Sequence, residues 1–265
     1  MSDLHVLVTG GAGYIGTHTL VAMLAAGQRP LVLDDFSNGS REAVARVERL
    51  CGVAIPLIEA DIRTPGLVES VLADAAARGD PVQAVLHLAG CKAVGESVAD
   101  PLKYYDNNVA GSLALLRAMR DTGVARLVFS SSATVYGEPQ YLPFTEAHPL
   151  APTNPYGRTK LMVEEMLRDV CTASPAFSAV TLRYFNPIGA HPSGLIGESP
   201  RDLPNNLFPF ITQVAVGRQP FLRVFGDDYD LPTAQACATT CTSWTWRKAT
   251  CKPWRIPRST RASSR

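Results

Sequence analysis

Tyr156 and Lys160 stand four residues apart in Tyr-Gly-Arg-Thr-Lys, and Ser132 precedes them by twenty-four. On a helix an i,i+4 pair shares one face. An ammonium beside a phenol favours the phenolate, because opposite charge stabilises the ionised form. Such a tyrosine can take a proton from an alcohol, with the serine hydroxyl as a hydrogen-bonding partner, if a nicotinamide ring takes the hydride. Tyr-x-x-x-Lys alone also describes many exposed helices. Two other features raise it here: the serine-rich run Ser130-Ser-Ser and the opening loop Gly10-Gly-Ala-Gly13-Tyr14-Ile15-Gly16.

The elements that must position these residues are legible as short apolar runs alternating with helical stretches, the pattern of a parallel sheet covered by helices. Strands are expected over 5–9, 30–34, 55–59, 84–89, 126–131 and 179–183. Helices are expected from Gly16 to Ala26, over 108–122, from Tyr156 to about Val170, and over 208–216. Near-continuous apolar strands fit burial on both faces. The expected fold class is therefore α/β, a Rossmann-type doubly wound parallel sheet, with an incomplete smaller C-terminal substrate lobe. The boundaries are 1–190 for the dinucleotide domain, 191–231 for a proline- and glycine-rich partial lobe, and 232–265 for a basic tail.

The glycine loop follows a strand and opens a helix, where a missing Cβ lets a pyrophosphate approach the helix N-terminus. Asp34 ends the second strand and is placed to accept from an adenosine ribose. A carboxylate there repels a 2′-phosphate and favours NAD over NADP, with Arg41 a mild counterweight. Asp61 could meet the adenine edge or cap the next helix. Ser132 lies at the carboxyl end of the fifth strand, where ligands bind in such sheets.

The 265 residues are 46% hydrophobic and 18% charged, in the range of a globular chain. Neither a secretory start nor a run of roughly 18 apolar residues is present, so no membrane segment is expected. Scattered cysteines (Cys51, Cys91 and Cys171 before residue 230) fit a reducing cytoplasm. His87 reads as a core or cofactor-adjacent residue, and His5, His18, His148 and His191 show no metal-ligand spacing.

Together these motifs resemble the extended short-chain dehydrogenase/reductase superfamily and, within it, the UDP-glucose 4-epimerase family. The resemblance rests on 8–16, 89–97, 104–108, 130–137, 154–157, 182–190 and 204–207, and runs from residue 4 to about 230. It implies NAD as a tightly held cofactor and UDP-galactose and UDP-glucose as substrates in galactose metabolism. Catalytic roles fall on Tyr156 as base, Lys160 as its partner and Ser132 on the sugar hydroxyl. It implies an NAD site formed by Gly10, Gly13, Tyr14, Ile15, Gly16, Asp34, Asp35, Phe36, Ser37, Asn38, Gly39, Asp61, Ile62, Leu88, Ala89, Gly90, Cys91, Lys92, Asn107 and Phe185, with the catalytic three. Lys92, Ser132, Thr134, Tyr156, Asn186, Asn206 and Leu207 would meet the UDP-sugar. Related dehydratases carry an acidic pair after the strand-five hydroxyl, which eliminates water. Ala133 and Thr134 stand there instead, so dehydration is disfavoured. An NAD-dependent sugar-nucleotide dehydrogenase is the nearest alternative, and a homodimer would be ordinary for the superfamily.

The tail differs from the body. Residues 231–265 hold seven Lys or Arg, no Asp or Glu, all three tryptophans and three of six cysteines; without them the net charge of +1 becomes about −6. The family pattern would continue Asp-Gly-Thr-Gly-Val-Arg-Asp-Tyr. Permissible codons for 232–250, read from the third base, give Asp-Gly-Thr-Gly-Val-Arg-Asp-Tyr-Met-His-Val-Val-Asp-Leu-Ala-Glu-Gly-His. Synonymous choice sets only the first base of each shifted codon. The expectation is a frameshift just before Pro232, a disordered tail, and weak or absent epimerisation for want of the pyrophosphate-gripping arginine. A metal site on Cys237, Cys241 and Cys251 lacks a fourth ligand. A nucleic-acid-binding tail on an inactive NAD module is the reading from another class, and nucleic acid is not the partner expected.

Overall fold

A computed structural model describes residues 3–200, 204, 206–223 and the backbone of 240–242. Six parallel strands form one sheet: β1 His5–Thr9, β2 Arg29–Asp34, β3 Leu57–Glu59, β4 Ala84–His87, β5 Arg126–Ser132 and β6 Ser178–Tyr184. Their order, β3-β2-β1-β4-β5-β6, reverses direction between β1 and β4 and so opens a crevice at the carboxyl ends of those two strands. Every strand expected from the sequence is present. β3 is shorter than expected: the Pro56 carbonyl still accepts from Val32, but proline has no N–H to extend the ladder.

β1 shows how the sheet makes two cores. Leu7 faces one side with Leu31, Leu33, Leu115, Phe129 and Leu167. Val6 and Val8 face the other with Leu20, Val32 and Val47. The first layer holds α3 (Leu67–Ala77), α6 (Gly111–Thr122) and α7 (Pro155–Ala173), the second α1 (Tyr14–Ala25) and α2 (Arg41–Cys51). Between β4 and α6 lies a hairpin of α4 (Val94–Ala99) and α5 (Pro101–Tyr104), then a single π-helical stretch, Tyr105–Ala110. The helix expected over 108–122 therefore begins as α only at Gly111.

The segment after residue 190 is tied back to the second layer. Ile196 is buried in that core, the Tyr14 hydroxyl donates to the Gly189 carbonyl (2.6 Å), and Arg46 reaches the Leu195 carbonyl (3.3 Å). α8 (Leu207–Ala215) follows, and β7 (Asn186–Ile188) pairs in parallel with β8 (Thr240–Thr242). That strand differs from the structureless tail expected there. The remainder of the tail, with Cys237, Cys251, the tryptophans and the arginines, lies outside the described residues.

A buried ion pair ties the sheet edge to α7. Glu164 accepts from Arg183 Nη2 (2.6 Å) and Nε (3.0 and 3.1 Å) and from Ser131 Oγ (2.5 Å). Arg183 also lies over the Tyr136 ring, 5.2 Å from its centroid. Removing one partner of such a pair strands the other charge. Glu164→Ala is expected to cost about 3 kcal/mol or more. A lower urea midpoint at unchanged m-value checks this, and a wild-type midpoint refutes it.

Candidate active site

At the crevice, Gly10 donates to the Leu33 carbonyl (2.9 Å) and adopts φ +71°, and a Cβ there would lie 2.6 Å from the Ala89 nitrogen. Only glycine fits between β1 and the β4 loop. Gly13 is the N-cap of α1 and makes no side-chain cap bond, and a Cβ on it would meet only the Gly10 carbonyl, at 3.4 Å. The N-terminus of a twelve-residue helix is thus presented without a side chain in front of it, which suits a diphosphate.

Asp34 is buried and organises this loop: Oδ2 accepts from Ala12 N and Oδ1 from Phe36 N, both 2.9 Å. Asp35 binds the Ser37 amide (2.9 Å) and hydroxyl (2.6 Å), while Gly39 packs on Ala12. Arg41, the counterweight noted above, bonds to Glu59 and lies 5.0 Å over Phe36. Asp61 does not cap α3, whose N-cap is Gly66. It caps its own turn through Arg63 N (2.8 Å) and pairs with the Arg63 guanidinium, which holds its carboxyl below the usual range. Ile62 turns into the core against Gly111.

Tyr156, Lys160 and Ser132 converge at the carboxyl edge of β5, and all three are buried. α7 begins with Asn154, whose Oδ1 accepts from Gly157 N (2.8 Å), and Pro155, which lacks an N–H at a position that needs none. Gly157 lets the helix press on the 3₁₀ turn Ala133–Val135: a Cβ would stand 3.0 Å from the Thr134 carbonyl oxygen. Ser132 Oγ accepts from Thr134 N (3.2 Å) and Thr134 Oγ1 (3.0 Å), and its hydroxyl acts to lower the pKa of the Tyr156 phenol.

The electrostatics differ from the sequence expectation. Lys160 Nζ donates to the Ser130 carbonyl (2.9 Å) and lies over the Phe129 and Tyr156 rings, 5.0 and 5.8 Å from their centroids. Burial lowers its pKa from 10.5 to about 8. Burial raises that of Tyr156, against the Ser132 hydroxyl, which lowers it. Desolvation outweighs the lysine's attraction here, and the group favouring phenolate is the serine. Among the described residues Lys160 has one hydrogen-bond acceptor for three N–H groups, so a buried donor remains for a ligand hydroxyl. The donor set fits a dinucleotide ribose at this point.

The β4 loop covers the cluster. A Cβ at Gly90 would lie 3.0 Å from Asn108 Oδ1 and 3.6 Å from Lys160 Nζ. Cys91 N donates to Asn108 Oδ1 (2.8 Å) and Asn107 Oδ1 (3.2 Å), and Asn108 Nδ2 returns bonds to Cys91 O and Thr159 Oγ1 (both 3.0 Å). Asn108, absent from the sequence expectation, is thus the buried link between loop and helix, in a π-helical stretch of the kind that recurs at functional sites. His87 is a core residue: Nδ1 meets Thr9 Oγ1 (2.7 Å), Nε2 meets Ser112 Oγ (2.9 Å), and burial holds its pKa near about 3. Across the crevice from the glycine loop, the expected substrate residues Lys92 and Asn206 meet at Glu198, whose Oε1 accepts from Lys92 Nζ (3.3 Å) and Asn206 Nδ2 (2.8 Å). Leu207 and Asn186 are exposed, and Phe185 packs near Phe144 at 6.0 Å. The described residues contain no group of three His, Cys, Asp or Glu able to hold a metal.

A Rossmann sheet with a Ser–Tyr–Lys cluster at its switch-point side defines a nucleotide-dependent short-chain enzyme. Residues 6–229 match the NAD dependent epimerase/dehydratase family, and the chain belongs to it. Among its relatives, UDP-glucose 4-epimerase of Dictyostelium discoideum is 53% identical over 230 residues, 87% of this chain and 65% of that protein. UDP-glucose 4-epimerase of Bacillus subtilis (strain 168) is 55% identical over 224 residues, 84% of this chain and 65% of that protein. The chain spans about two thirds of their length. A crystal structure of UDP-glucose 4-epimerase from Bifidobacterium longum in complex with NAD+ and UDP superposes with TM-score 0.90 at 44% identity, covering 96% of this chain and 75% of that one. The Stenotrophomonas maltophila UDP-glucose-4-epimerase with bound NAD and formylated UDP-arabinopyranose gives 0.89 at 44% identity, covering 94% and 72%.

The opposed shifts predict a pH signature. Between pH 8 and 10 an unfolded chain keeps Lys160 protonated while the folded one releases the proton, so stability rises with pH. Above about pH 10 the unfolded chain loses the Tyr156 proton first and stability falls again. Relative to Lys160→Met, wild type should gain on the order of 2–3 kcal/mol from pH 7.5 to 10. Urea unfolding at stepped pH checks this; parallel profiles would refute it.

Proposed function

We propose that this chain carries the nucleotide and catalytic half of a UDP-glucose 4-epimerase, interconverting UDP-galactose and UDP-glucose at C4 of the sugar. The observation that carries the reading is the buried Ser132–Tyr156–Lys160 cluster under the Gly90 loop, facing a helix N-terminus cleared by Gly13. Relatives and solved structures bearing that activity or bound NAD support it.

NAD, when bound, supplies the hydride acceptor and donor. Gly10, Gly13 and the amides after them would face its diphosphate, and Asp34 its adenosine ribose, whose second oxygen a 2′-phosphate could not occupy beside that carboxylate. Lys160 offers its unused N–H groups to the other ribose. Tyr156 takes the proton from the sugar 4-hydroxyl and returns it to the opposite epimer, with Ser132 aligning hydroxyl and phenol. Lys92, Asn186, Asn206 and Leu207 are assigned to the UDP-sugar, and Thr134 holds Ser132. Positions 133 and 134 carry no carboxyl, which favours epimerisation over dehydration.

Two helices, α6 and α7, are proposed as a homodimer seam, supported by the exposed Leu113 and Met162. A cytoplasmic location fits the unpaired Cys51, Cys91 and Cys171. Among the described residues no helix is long and apolar enough to cross a membrane. The three-part division at 190 and 231 is retained, with a shifted reading frame from Pro232: the family match ends at residue 229.

The test is NAD retained on the purified chain, then galactose-to-glucose interconversion of the UDP-sugar, beside a version with the frame restored from 232. The chain as written should keep NAD and turn over at least about 100-fold more slowly, for lack of the arginine that orients the diphosphate. Equal kcat/KM would overturn the expected impairment. In the restored chain Tyr156→Phe should lose about 10²–10⁴-fold in kcat with NAD retained. Retention of full activity would remove the base assignment.

A further inference from the structure

The first turn of α7 leaves its amides to be satisfied from outside the helix. Pro155 has none to satisfy, Gly157 is taken by Asn154, and Arg158 starts the ladder on the Asn154 carbonyl at 3.0 Å. The remaining one is the amide of Tyr156 itself, and it donates to Ser97 Oγ on α4 (3.2 Å). Ser97 is fully buried, and its own proton goes to the Val94 carbonyl (2.6 Å), which leaves its lone pairs turned to α7. The same hairpin touches the Tyr156 ring. Tyr104 stands edge-on to it, centroids 6.5 Å apart at 82°, with its hydroxyl fixed by the Ala93 carbonyl and Glu96 Oε2 (both 2.7 Å).

We infer that Ser97 is a positioning residue for the Tyr156 base, with Tyr104 as its second anchor: the α4–α5 hairpin sets the depth at which the phenol meets Ser132. The inference rests on the proposed role of Tyr156. An amide in this core must find an acceptor, and Ser97 is the one supplied from outside α7. Without it the first turn can shift, and the phenol moves relative to Ser132, the described group that favours phenolate. The titratable and charged groups facing Tyr156 are Lys160 on its own helix, Tyr104 with Glu96 behind it on the hairpin, and Cys91 beyond Lys160 on the β4 loop. The Ser97 substitution changes none of their charges.

The test is an ultraviolet titration of tyrosinate on the full chain, with and without NAD, wild type minus Tyr156→Phe isolating one transition. NAD retained on each sample is read first, so that failure of the nucleotide reading is a separate result. Ser97→Ala is expected to move the Tyr156 transition upward by about one unit, a tenfold loss of ionised base at fixed pH. Ser97→Thr, which keeps the hydroxyl, should restore it. Where Ser97→Ala does not fold, Ser97→Cys, with a weaker acceptor of similar shape, should show the same direction at smaller size. A folded Ser97→Ala or Ser97→Cys whose melting temperature falls while the Tyr156 transition stays in place overturns the inference.

Discussion

Lys160 brings an amine into the core beneath the carboxyl edge of the sheet, and the surroundings are arranged around the cost of that burial. One N–H meets the Ser130 carbonyl, and the rings of Phe129 and Tyr156 offer their faces to the charge. A second cation nearby would be intolerable, and His87 is kept neutral. Ser112 already donates to the Asn108 carbonyl (2.5 Å), so its oxygen must accept from His87 Nε2, and Thr9 must then donate to Nδ1. That ordered chain runs from β1 through β4 to α6 and fixes one tautomer. The lysine's lowered pKa and the tyrosine's raised one follow from the same dry setting.

The polar groups that hold the site come mostly in pairs that bridge distant parts of the chain. Asn108 ties the loop after β4 to α7, and Glu164 ties α7 to β5 and β6. None of these is an exposed ion pair of the kind that contributes roughly nothing. They are buried and satisfied from several directions, which makes them costly to break and fixes angles as much as energies.

That bridging is also why sequence reading reached only part of the site. The sheet was legible because six apolar runs carry their own period, and the loop because glycines between a strand and a helix have few other uses. Asp34 and Ser132 were legible from their places at strand ends, and Tyr156 and Lys160 from their spacing on one helix face. Asn108, Ser97, Glu164 and Glu198 were not: each is a polar residue in a helix or loop that reads as solvated until its partner, from 33 to 106 residues away in two of these cases, is known. Of the two compatible roles expected for Asp61, the adenine edge and the cap of the next helix, the cap falls to Gly66, and Arg63 pairs with Asp61. The expected sign of the Tyr156 shift failed for a related reason. Spacing gives the neighbour, while the shift depends on how much water the fold removes from both.

The two sides of the crevice are held by unequal means. On the nucleotide side the backbone is fixed by the sheet, by Gly10 wedged against Ala89, and by a buried Asp34 bonded at both oxygens. On the other side Lys92 is half exposed where it meets Glu198, and such a contact is worth at most about 1 kcal/mol. Asn206 heads α8 yet turns its amide to Glu198 rather than capping its own helix. α8 in turn shows Leu207, Phe208 and Ile211 to solvent. A helix with that much apolar surface uncovered gains little from its present packing. The glycine loop and the Ser132–Tyr156–Lys160 cluster therefore rest on contacts complete within residues 3–200, whereas the contacts around α8 are few and exposed.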